Sequence, residues 1–495
     1  MVSCGKEPSS TIPLPDQGEN GNGGETGDMT SLTVYGKVLD DKGQPYVGVV
    51  MTDGRNFAVT DENGYYRFEK YRYASFIQCS IPSDAAITKG GSYNMAECHF
   101  KRLVSSTKEY NFTYARGDGG KKFRILALGD PQVSKDSEVD KYRLSAKNDI
   151  NQYMVDASPL PSYGITLGDN VENAWDYLPK IAAVFGEMNL PVFATIGNHD
   201  HEFPVENEAA ARKKYEDVFG PANFSFNRGD VHIVVFDDVM HNGGASSDYT
   251  QGYEPWQLEW LKKDLSYVPK DKVIFMTAHI PLTDKAVIDL LSEYKSAFVV
   301  CGHTHNVENN RSKTSTSGKL INICAAGSTG APWKGTILSD GCERGYKVYE
   351  FNGTALEREV YKCIRYQESF QARMFRTADF PPYTTAGNNT YSFPYNGENW
   401  IAVNIFNFKS TWKATLIENG VESPNAARPI VSYDVWAKVF LYTKYDRDTT
   451  TGKNDHMLFF NVNNPSSEIK IKITDEFGQE FICDSFTPKD FEPVL

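Results

Sequence analysis

The chain has 495 residues, too many for one hydrophobic core, so roughly two to four domains are expected. Its 64 acidic and 51 basic residues give a formal net charge of -13, which disfavours binding to a nucleic-acid backbone. No apolar run is long enough to cross a bilayer, and the eight cysteines include no CxxC pair, which argues against a zinc ribbon and a dense disulfide scaffold.

Residues 1–31 predict a lipid anchor and a flexible tether. The stretch Met1 to Lys6 resembles the end of a bacterial lipobox in which Cys4 would carry the lipid; an ordinary N-terminal cysteine is the alternative. From Glu7 to Ser31 the chain is mostly Gly, Pro, Ser, Asn and Asp, a composition typical of tethers. These features predict an extracytoplasmic protein, in the periplasm or at the cell surface.

The next segment, residues 32–115, predicts a small antiparallel β-sandwich. Apolar and polar residues alternate in short runs that are interrupted by turn signals at Asp41–Gly43 and Asp61–Gly64. No catalytic cluster is present. The segment resembles the carboxypeptidase regulatory-like, transthyretin-like module, which implies a structural or spacing role; the resemblance lies in Val34–Asp40, Gly48–Val50 and Thr60–Phe68.

Residues 121–352 predict a central α/β domain. The run Phe123–Leu128 has the pattern of a buried strand and stops at Gly129-Asp130. Helical periodicity separates several later strands, as in Tyr253–Leu265, and this alternation favours layers of helices and sheets. The further predicted strands are Tyr163–Leu167, Pro191–Ile196, Val231–Phe236, Lys272–Thr277 and Ser296–Val300.

Five short polar segments follow these strands, where open α/β sheets present their ligand-binding loops. Their Asp, Asn and His side chains are donors that suit iron, zinc and manganese. Each segment alone has a common structural explanation, such as a turn at Asp169-Asn170, a helix cap at Asn198–Asp200 or a core histidine at His279. Together and in order they favour a two-metal phosphoesterase site: Gly129–Gln132, Gly168–Asn170, Gly197–Asp200, Thr277–His279 and Gly302–His305.

Because of these five segments, residues from about Lys121 to Phe351 resemble the calcineurin-like metallophosphoesterase family. The resemblance implies a central two-sheet α/β sandwich with two metal ions, iron, manganese or zinc, and a small phosphorylated substrate attacked by a metal-bound hydroxide. It implies one metal held by Asp130, Gln132, Asp169 and His305, and a second metal, bridged by Asp169, held by Asn198, His279 and His303.

The same resemblance assigns catalytic roles to His199 and Asp200. His199 would protonate the leaving alkoxide or stabilise charge on the phosphoryl group, since imidazole changes charge near neutral pH. Asp200 would orient the imidazole ring. No protein nucleophile is required.

Two positions depart from the commonest family pattern. Gln132 stands where most members have a histidine, as in a subset of the family with Asp-Pro-Gln, and an amide oxygen is the weaker ligand. Glu172 stands where the purple acid phosphatase branch has a tyrosine, so the iron charge-transfer colour is not expected.

Other polar residues of the central domain are weaker candidates. His201 would touch substrate or be an exposed loop histidine. Arg344 would reach a substrate oxygen with its forked donors or be a solvated surface arginine. The pattern predicts that His232 is packed and that Cys301 and Cys324 are small buried residues.

Residues 365–495 predict a third, all-β domain. The stretch Trp412–Gly420 is similar to the C-terminal module of bacterial calcineurin-like proteins. The aromatic residues Trp400, Trp412 and Trp436 are expected in its core, or alternatively on sugar rings or at the rim of the active site. The predicted strands are Thr390–Phe393, Trp400–Phe406, Trp412–Glu418, Val431–Lys444, Met457–Phe460 and Glu468–Ile473.

The sequence thus predicts a multidomain α/β plus β protein that hydrolyses a phosphate ester or anhydride at a dinuclear metal centre. One alternative is a surface protein that binds glycans or polymers on a degenerate phosphoesterase scaffold, for which Gln132 is the support. Another is a phosphodiesterase or nucleotide-sugar hydrolase in place of a monoesterase. The sequence leaves the oligomeric state open.

Overall fold

The computed structural model describes residues 33–117, 120–241, 244, 248–330, 337–446 and 452–491. The predicted lipid anchor at Cys4 and the tether fall outside these residues. Among the helices that are described, none combines the length and the apolar character that a membrane crossing requires.

The N-terminal segment forms two small sheets, with strand orders β4-β1-β7 and β3-β2-β5-β6. The prediction of purely antiparallel strands was wrong, because β1 pairs with β7 in parallel, Val38 opposite Phe112. About seventy residues separate the two strands, and a connection of that length permits parallel pairing. The strands are β1 (Thr33–Asp40), β2 (Val50–Thr52), β3 (Phe57–Val59), β4 (Tyr65–Glu69), β5 (Phe76–Cys79), β6 (Phe100–Arg102) and β7 (Phe112–Tyr114).

The central segment contains most of the helices. The helices are α1 (Asp136–Tyr142), α2 (Asn148–Asp156), α3 (Leu178–Gly186), α4 (Glu208–Phe219), α5 (Pro255–Ser266) and α6 (Lys285–Leu291). The strands are β8 (Lys122–Leu128), β9 (Ser162–Thr166), β10 (Val192–Phe193), β11 (Phe224–Arg228), β12 (Val231–Val235), β13 (Val239–His241), β14 (Tyr249–Gln251), β15 (Val273–Thr277), β16 (Ser296–Cys301), β17 (Val307–Glu308), β18 (Lys313–Thr314), β19 (Leu320–Ala326), β20 (Gly345–Asn352) and β21 (Ala355–Cys363).

Two mixed sheets form the centre of the molecule. One has the order β10-β9-β8-β20-β21, and the other runs β11-β12-β15-β16-β19-β17 with β18 paired to β19. Alternate residues of both sheets, such as Ile125 and Phe275, meet in one core, while α5 and α6 cover the outer face of the second sheet. Because β8, β9 and β10 are mutually parallel, as are β12, β15 and β16, their carboxyl ends lie at a common edge of each sheet.

The N-terminal sheets share this core and do not form a separate body. Val38 and Tyr114 belong to the same apolar cluster as Phe226 of the central domain. The ring of His99 stacks on Phe224 with 4.1 Å between ring centroids. The N-terminal segment is therefore packed directly against the central sheets.

The C-terminal segment contains two four-stranded antiparallel sheets, β22-β25-β29-β28 and β27-β26-β30-β31, beside the small pair β23-β24. Its bounds are β22 (Ala372–Arg376), β23 (Tyr383–Thr384), β24 (Thr390–Tyr391), β25 (Trp400–Ile405), β26 (Lys413–Glu418), β27 (Val421–Glu422), β28 (Arg428–Pro429), α7 (Val435–Tyr445), β29 (Met457–Asn461), β30 (Ile469–Thr474) and β31 (Glu480–Cys483).

The prediction that this segment is all-β was wrong, since Val431–Lys444 is mostly the helix α7 and not a strand. Asp434 caps the helix, and its side chain accepts a hydrogen bond from the Ala437 amide at 3.0 Å. Buried residues one turn apart, Trp436 and Phe440, give the segment a helical apolar face. Trp412 and Trp436 are buried as predicted, and Trp400 is half-buried against Tyr395.

Candidate functional site

The five polar segments come together at the carboxyl ends of the central strands. Asp130 follows β8, Asp169 follows β9, and Asn198 follows β10 in the first sheet; His279 follows β15 and His303 follows β16 in the second. The predicted strand Pro191–Ile196 forms ladder pairs only at Val192–Phe193. The two sheets thus present their loops to one another.

The backbone at this edge is strained. Among the described residues, eleven non-glycine residues have positive φ, and five of them are predicted metal ligands: Asp130, Gln132, Asp169, His303 and His305, with φ between 38° and 68°. Side chains other than glycine rarely adopt this conformation, and when they do it is typically at functional sites that the surrounding structure holds in place. The strain therefore coincides with five of the seven predicted metal ligands, all except Asn198 and His279.

Two glycines permit the close approach of these loops. A Cβ atom on Gly197 would lie 2.2 Å from the Asp169 amide nitrogen. Gly168 has φ of +89°, and a Cβ atom there would lie 2.4 Å from His279 Nδ1. Any side chain at either position would push Asp169 away from the histidines.

Four side chains converge on the second predicted metal position. Asn198 Oδ1 lies 2.9 Å from His279 Nε2 and 3.0 Å from His303 Nδ1, and the two ring nitrogens are 3.2 Å apart. His279 Nε2 is also 3.2 Å from Asp169 Oδ1. Ligand atoms about 2.1 Å from one ion at tetrahedral angles are about 3.4 Å apart, so this donor set fits a transition metal.

Neighbouring groups fix the direction of His279. Its Nδ1 donates to the Leu167 carbonyl at 2.7 Å, which leaves Nε2 facing the cluster. The Asp238 carboxylate accepts hydrogen bonds from the backbone amides of His279 and Ile280 at 2.9 and 3.1 Å. Burial raises the pKa of Asp238 to about 6. The loop that carries His279 is therefore held from both sides.

A second group lies next to the first and shares Asp169 with it. Ligand atoms of Asp130, Asp169 and His305 all lie within 4.8 Å of one another, as do those of Asp169, His279 and His303. His305 Nε2 is 3.5 Å from Asp130 Oδ1. The Gln132 backbone amide donates to the Asp169 carbonyl at 2.8 Å, which keeps this buried residue beside the group; its role as a ligand stays a prediction.

The electrostatics favour positive charge at the centre of the cluster. Burial alone would lower the pKa of His279, but the adjacent Asp169 carboxylate outweighs burial and raises it to about 10. Burial would raise the pKa of Asp169, but His279 holds it below its usual range. Burial and the charge of His279 lower the pKa of His303 to about 4. The Asp169 carboxylate thus favours positive charge at the position of the His279 ring.

His199 lies beside the cluster with its side chain 22% exposed. Its backbone amide donates to Asp169 Oδ1 at 2.9 Å, and its Nε2 is 4.0 Å from Asp169 Oδ2. The ring nitrogen Nδ1 lies 2.9 Å from Asn173 Oδ1. The imidazole therefore stands at the open side of the site, oriented by an amide.

The prediction that Asp200 orients His199 was wrong. The Asp200 carboxylate accepts hydrogen bonds from the side-chain amide of Asn170 and from the backbone amides of Val171 and Gly197, at 2.9 to 3.0 Å. Burial and the neighbouring Asp169 raise the pKa of Asp200 to about 6. Asp200 thus links the Gly168–Asn170 segment to the Gly197–Asp200 segment. Asn173 instead contacts the His199 ring.

The two candidate substrate residues are both buried. His201 is 0% exposed, Nδ1 lies 2.9 Å from the Gly197 carbonyl, and Nε2 is 3.6 Å from Asp237. Arg344 is 4% exposed and its Nη1 is 3.5 Å from the Thr329 carbonyl. The expectations of an exposed loop histidine and of a solvated arginine were wrong, because both side chains are buried. A contact of either residue with substrate stays a prediction.

Three residues near the site were missed in the sequence. Asn173 lies four residues after Asp169 in the same loop, and Asp238 follows β12 as the motif residues follow their strands, so both carry a positional signal. Tyr249 on β14 meets the ring of His303 edge to face at 5.9 Å. Nothing in its local sequence singles it out. His232 is packed as predicted, with Nε2 2.9 Å from Asp264.

The chain is similar to known protein families and to a curated protein. Three family models match the chain: "N terminal of Calcineurin-like phosphoesterase" at residues 32–117, "Calcineurin-like phosphoesterase" at 123–307 and "C terminal of Calcineurin-like phosphoesterase" at 322–481. The chain is 27% identical over 180 residues to tartrate-resistant acid phosphatase type 5 of Sus scrofa, a match over 29% of this chain and 53% of that protein. The chain therefore spans about half the length of this curated relative.

Two solved structures are also similar. A purple acid phosphatase from yellow lupin, Lupinus luteus, has a TM-score of 0.35 at 13% identity, over 65% of this chain and 67% of that one. A 5'-nucleotidase precursor from Thermus thermophilus has a TM-score of 0.29 at 13% identity, over 49% and 54% of the two chains.

Proposed function

Because the chain belongs to the calcineurin-like phosphoesterase family, we propose that it is a metal-dependent phosphoester hydrolase. The proposed catalytic centre is the cluster at the strand ends, with two metal ions per chain, iron, manganese or zinc. Bound there, such ions lower the pKa of water and offset the negative charge of a phosphate group.

One observation carries the proposal: Asp169 is common to both groups of metal-binding side chains. A carboxylate offers two oxygens, and a shared carboxylate permits two cations to lie close together. Asp130 and His305 form one group with it, and His279 and His303 form the other. We infer that Asn198 completes the second group and that Gln132 completes the first.

His199 supports a hydrolytic role because its imidazole stands beside Asp169 at the open side of the cluster. We propose that this ring contacts the phosphoryl group and gives a proton to the leaving oxygen. The Asn173 amide, 2.9 Å from Nδ1, would direct Nε2 toward the substrate. For this proton transfer, the leaving oxygen of the substrate must lie within hydrogen-bond distance of His199 Nε2.

Phosphate monoesters are the first substrate class to test, because the curated relative is an acid phosphatase by name. Phosphate diesters and nucleotide sugars are the second. We propose a small substrate and no nucleic acid, since the net charge of -13 repels a phosphate backbone. We also propose an extracytoplasmic location through a lipid on Cys4, which lies outside the described residues.

The test combines metal content with hydrolysis. The purified chain is assayed with an aryl phosphate monoester and the matching diester, with and without added manganese, iron or zinc. We expect turnover with about two metals bound per chain. The Asp169→Asn variant removes the shared carboxylate charge, and Asp140→Asn, at an exposed position of α1, is the matched control.

The preferred ester decides between the two substrate classes. Turnover that is unchanged in Asp169→Asn would overturn the assignment of the site. A wild-type chain with no bound metal and no turnover under any addition would overturn the hydrolase, and glycan or polymer binding would then be measured as the alternative.

A further inference from the structure

A third group of side chains of the types that bind metals lies between the central and C-terminal domains. Asp340 and Cys342 stand in the loop that precedes β20, and His456 directly precedes β29. All three residues are buried, and their ligand atoms lie within 4.8 Å of one another. None of them belongs to the motifs at the strand ends.

The imidazole of His456 is oriented by a chain of hydrogen bonds. The Asn404 side-chain nitrogen donates to the Asp340 carbonyl and to Asp434 Oδ2, each at 2.9 Å, so Asn404 Oδ1 is directed at the ring. His456 Nδ1 donates to that oxygen at 2.7 Å. The other ring nitrogen, Nε2, consequently presents its lone pair to Asp340 and Cys342, the arrangement that metal-binding histidines commonly show.

His456 Nε2 has no hydrogen-bond partner within the described part of the chain, although the residue is only 2% exposed. Its nearest acidic atom, Asp340 Oδ2, is 3.6 Å away, which is too long for a hydrogen bond. Two ligands about 2.1 Å from one zinc ion are about 3.4 Å apart at tetrahedral angles, so this gap fits an ion between them better than direct contact.

We propose that Asp340, Cys342 and His456 bind a third metal ion, a structural zinc. Thiolate, imidazole and carboxylate are the three ligand types of zinc, whereas magnesium and calcium do not take a thiolate. Each of the three residues offers one ligand atom to the cluster, and a fourth ligand would complete the tetrahedral coordination that zinc prefers. A carboxylate and a thiolate together offset the charge of a divalent ion, which the burial of the group requires.

The site connects the catalytic domain to the C-terminal sheets. Asp340 Oδ2 accepts a hydrogen bond from the Val307 amide at 2.7 Å, two residues after His305. The Asp340 carbonyl accepts hydrogen bonds from Asn404 and Asn454 at 2.9 and 2.8 Å. A zinc ion here would fasten the C-terminal domain to the loop that carries the predicted metal ligands His303 and His305. This inference goes beyond the proposed hydrolase and does not depend on it.

Cobalt substitution of the full chain tests the proposal without any assay of hydrolysis. Thiolate ligation to Co²⁺ gives a near-ultraviolet charge-transfer band, and the predicted ligands at the strand ends include no cysteine. Spectra are recorded in a Cys4→Ser background, because Cys4 lies outside the described residues. Cys342→Ser removes the proposed ligand, and Cys363→Ser, a buried cysteine of the same apolar cluster, is the matched control.

We expect the band in the background chain, in Cys363→Ser and in Asp169→Asn, and its loss in Cys342→Ser. Zinc content should fall by about one ion per chain in His456→Gln. A background chain that binds cobalt at the catalytic centre but shows no thiolate band would overturn the proposal. So would a band that persists in Cys342→Ser. The first of these results is read from the unaltered site, so it does not depend on how any variant folds.

Discussion

The ends of the central strands and the core of the C-terminal domain are both buried, but opposite kinds of side chain fill them. At the strand ends, Asp130, Asp169 and His279 are each no more than 1% exposed, and the residues around them have positive φ. In the C-terminal core, the ring of Trp436 lies against Phe375 and Phe440 with 6.0 and 5.5 Å between ring centroids.

This difference separates function from stability. Buried charges and strained backbone cost free energy, and they persist where the rest of the fold holds them in place. Buried aromatic rings stabilise a domain through the apolar area they remove from water. Substitutions at the strand ends should therefore change metal binding and turnover, whereas substitutions in the aromatic core should change the free energy of unfolding.

The largest effect is expected for Asp169→Asn. Both metal groups lose the charge of the shared carboxylate, so turnover should fall by at least about a thousandfold, together with the metal content. Steady-state hydrolysis and elemental analysis of the same preparation measure the two losses. A variant that kept two metals and lost only turnover would show that Asp169 acts on the substrate instead.

Trp436→Ala tests the aromatic core of the C-terminal domain. Removing this fully buried ring should lower the free energy of unfolding by about 3 to 5 kcal/mol, and turnover below the melting temperature should remain. Denaturant titration gives the change. Trp400→Ala is the matched control, because Trp400 is only half-buried and should cost less. Equal costs at the two positions would contradict a core centred on Trp436.

Much of the site was predictable because its residues follow strands that the sequence makes visible. Asp130, Asp169, His279 and His303 each come after an apolar run, and the polar donors stand out against it. Residues that hold the loops of the site in place were harder to recognise in the sequence. Asp200 was assigned to the wrong partner because adjacency in the chain does not show which way a buried carboxylate points.

The fold was predictable where one periodicity dominates. The helix α7 was missed because its residues include Val435, Trp436, Val439 and Phe440, types that favour strands when taken one by one. Its cap at Asp434 and its apolar residues spaced by four were the stronger evidence. The group of Asp340, Cys342 and His456 had no sequence signal, since His456 lies more than a hundred residues after the other two.

His199 and His201 allow function and stability to be compared within a single loop. His199→Gln should lower kcat by about a hundredfold or more with little change in the free energy of unfolding, because the ring is partly exposed and faces the substrate. His201→Gln should cost about 1 to 3 kcal/mol of stability, because it leaves the buried Asp237 without its histidine. Kinetics and denaturant titration on both variants would expose any reversal of these roles.

The smallest effect is expected at Asn173, which positions His199 without touching the metals. Its φ of +54° makes Asn173→Gly the suitable change, since glycine adopts this conformation without strain. The loss of the amide acceptor should lower kcat by about tenfold and leave KM and metal content nearly unchanged. Asn173→Asp retains an acceptor oxygen and tolerates the same backbone, so it should recover part of kcat. A fall in metal content in Asn173→Gly would show instead that the residue supports the ligand loops, because a residue that only orients the ring leaves both metal groups intact.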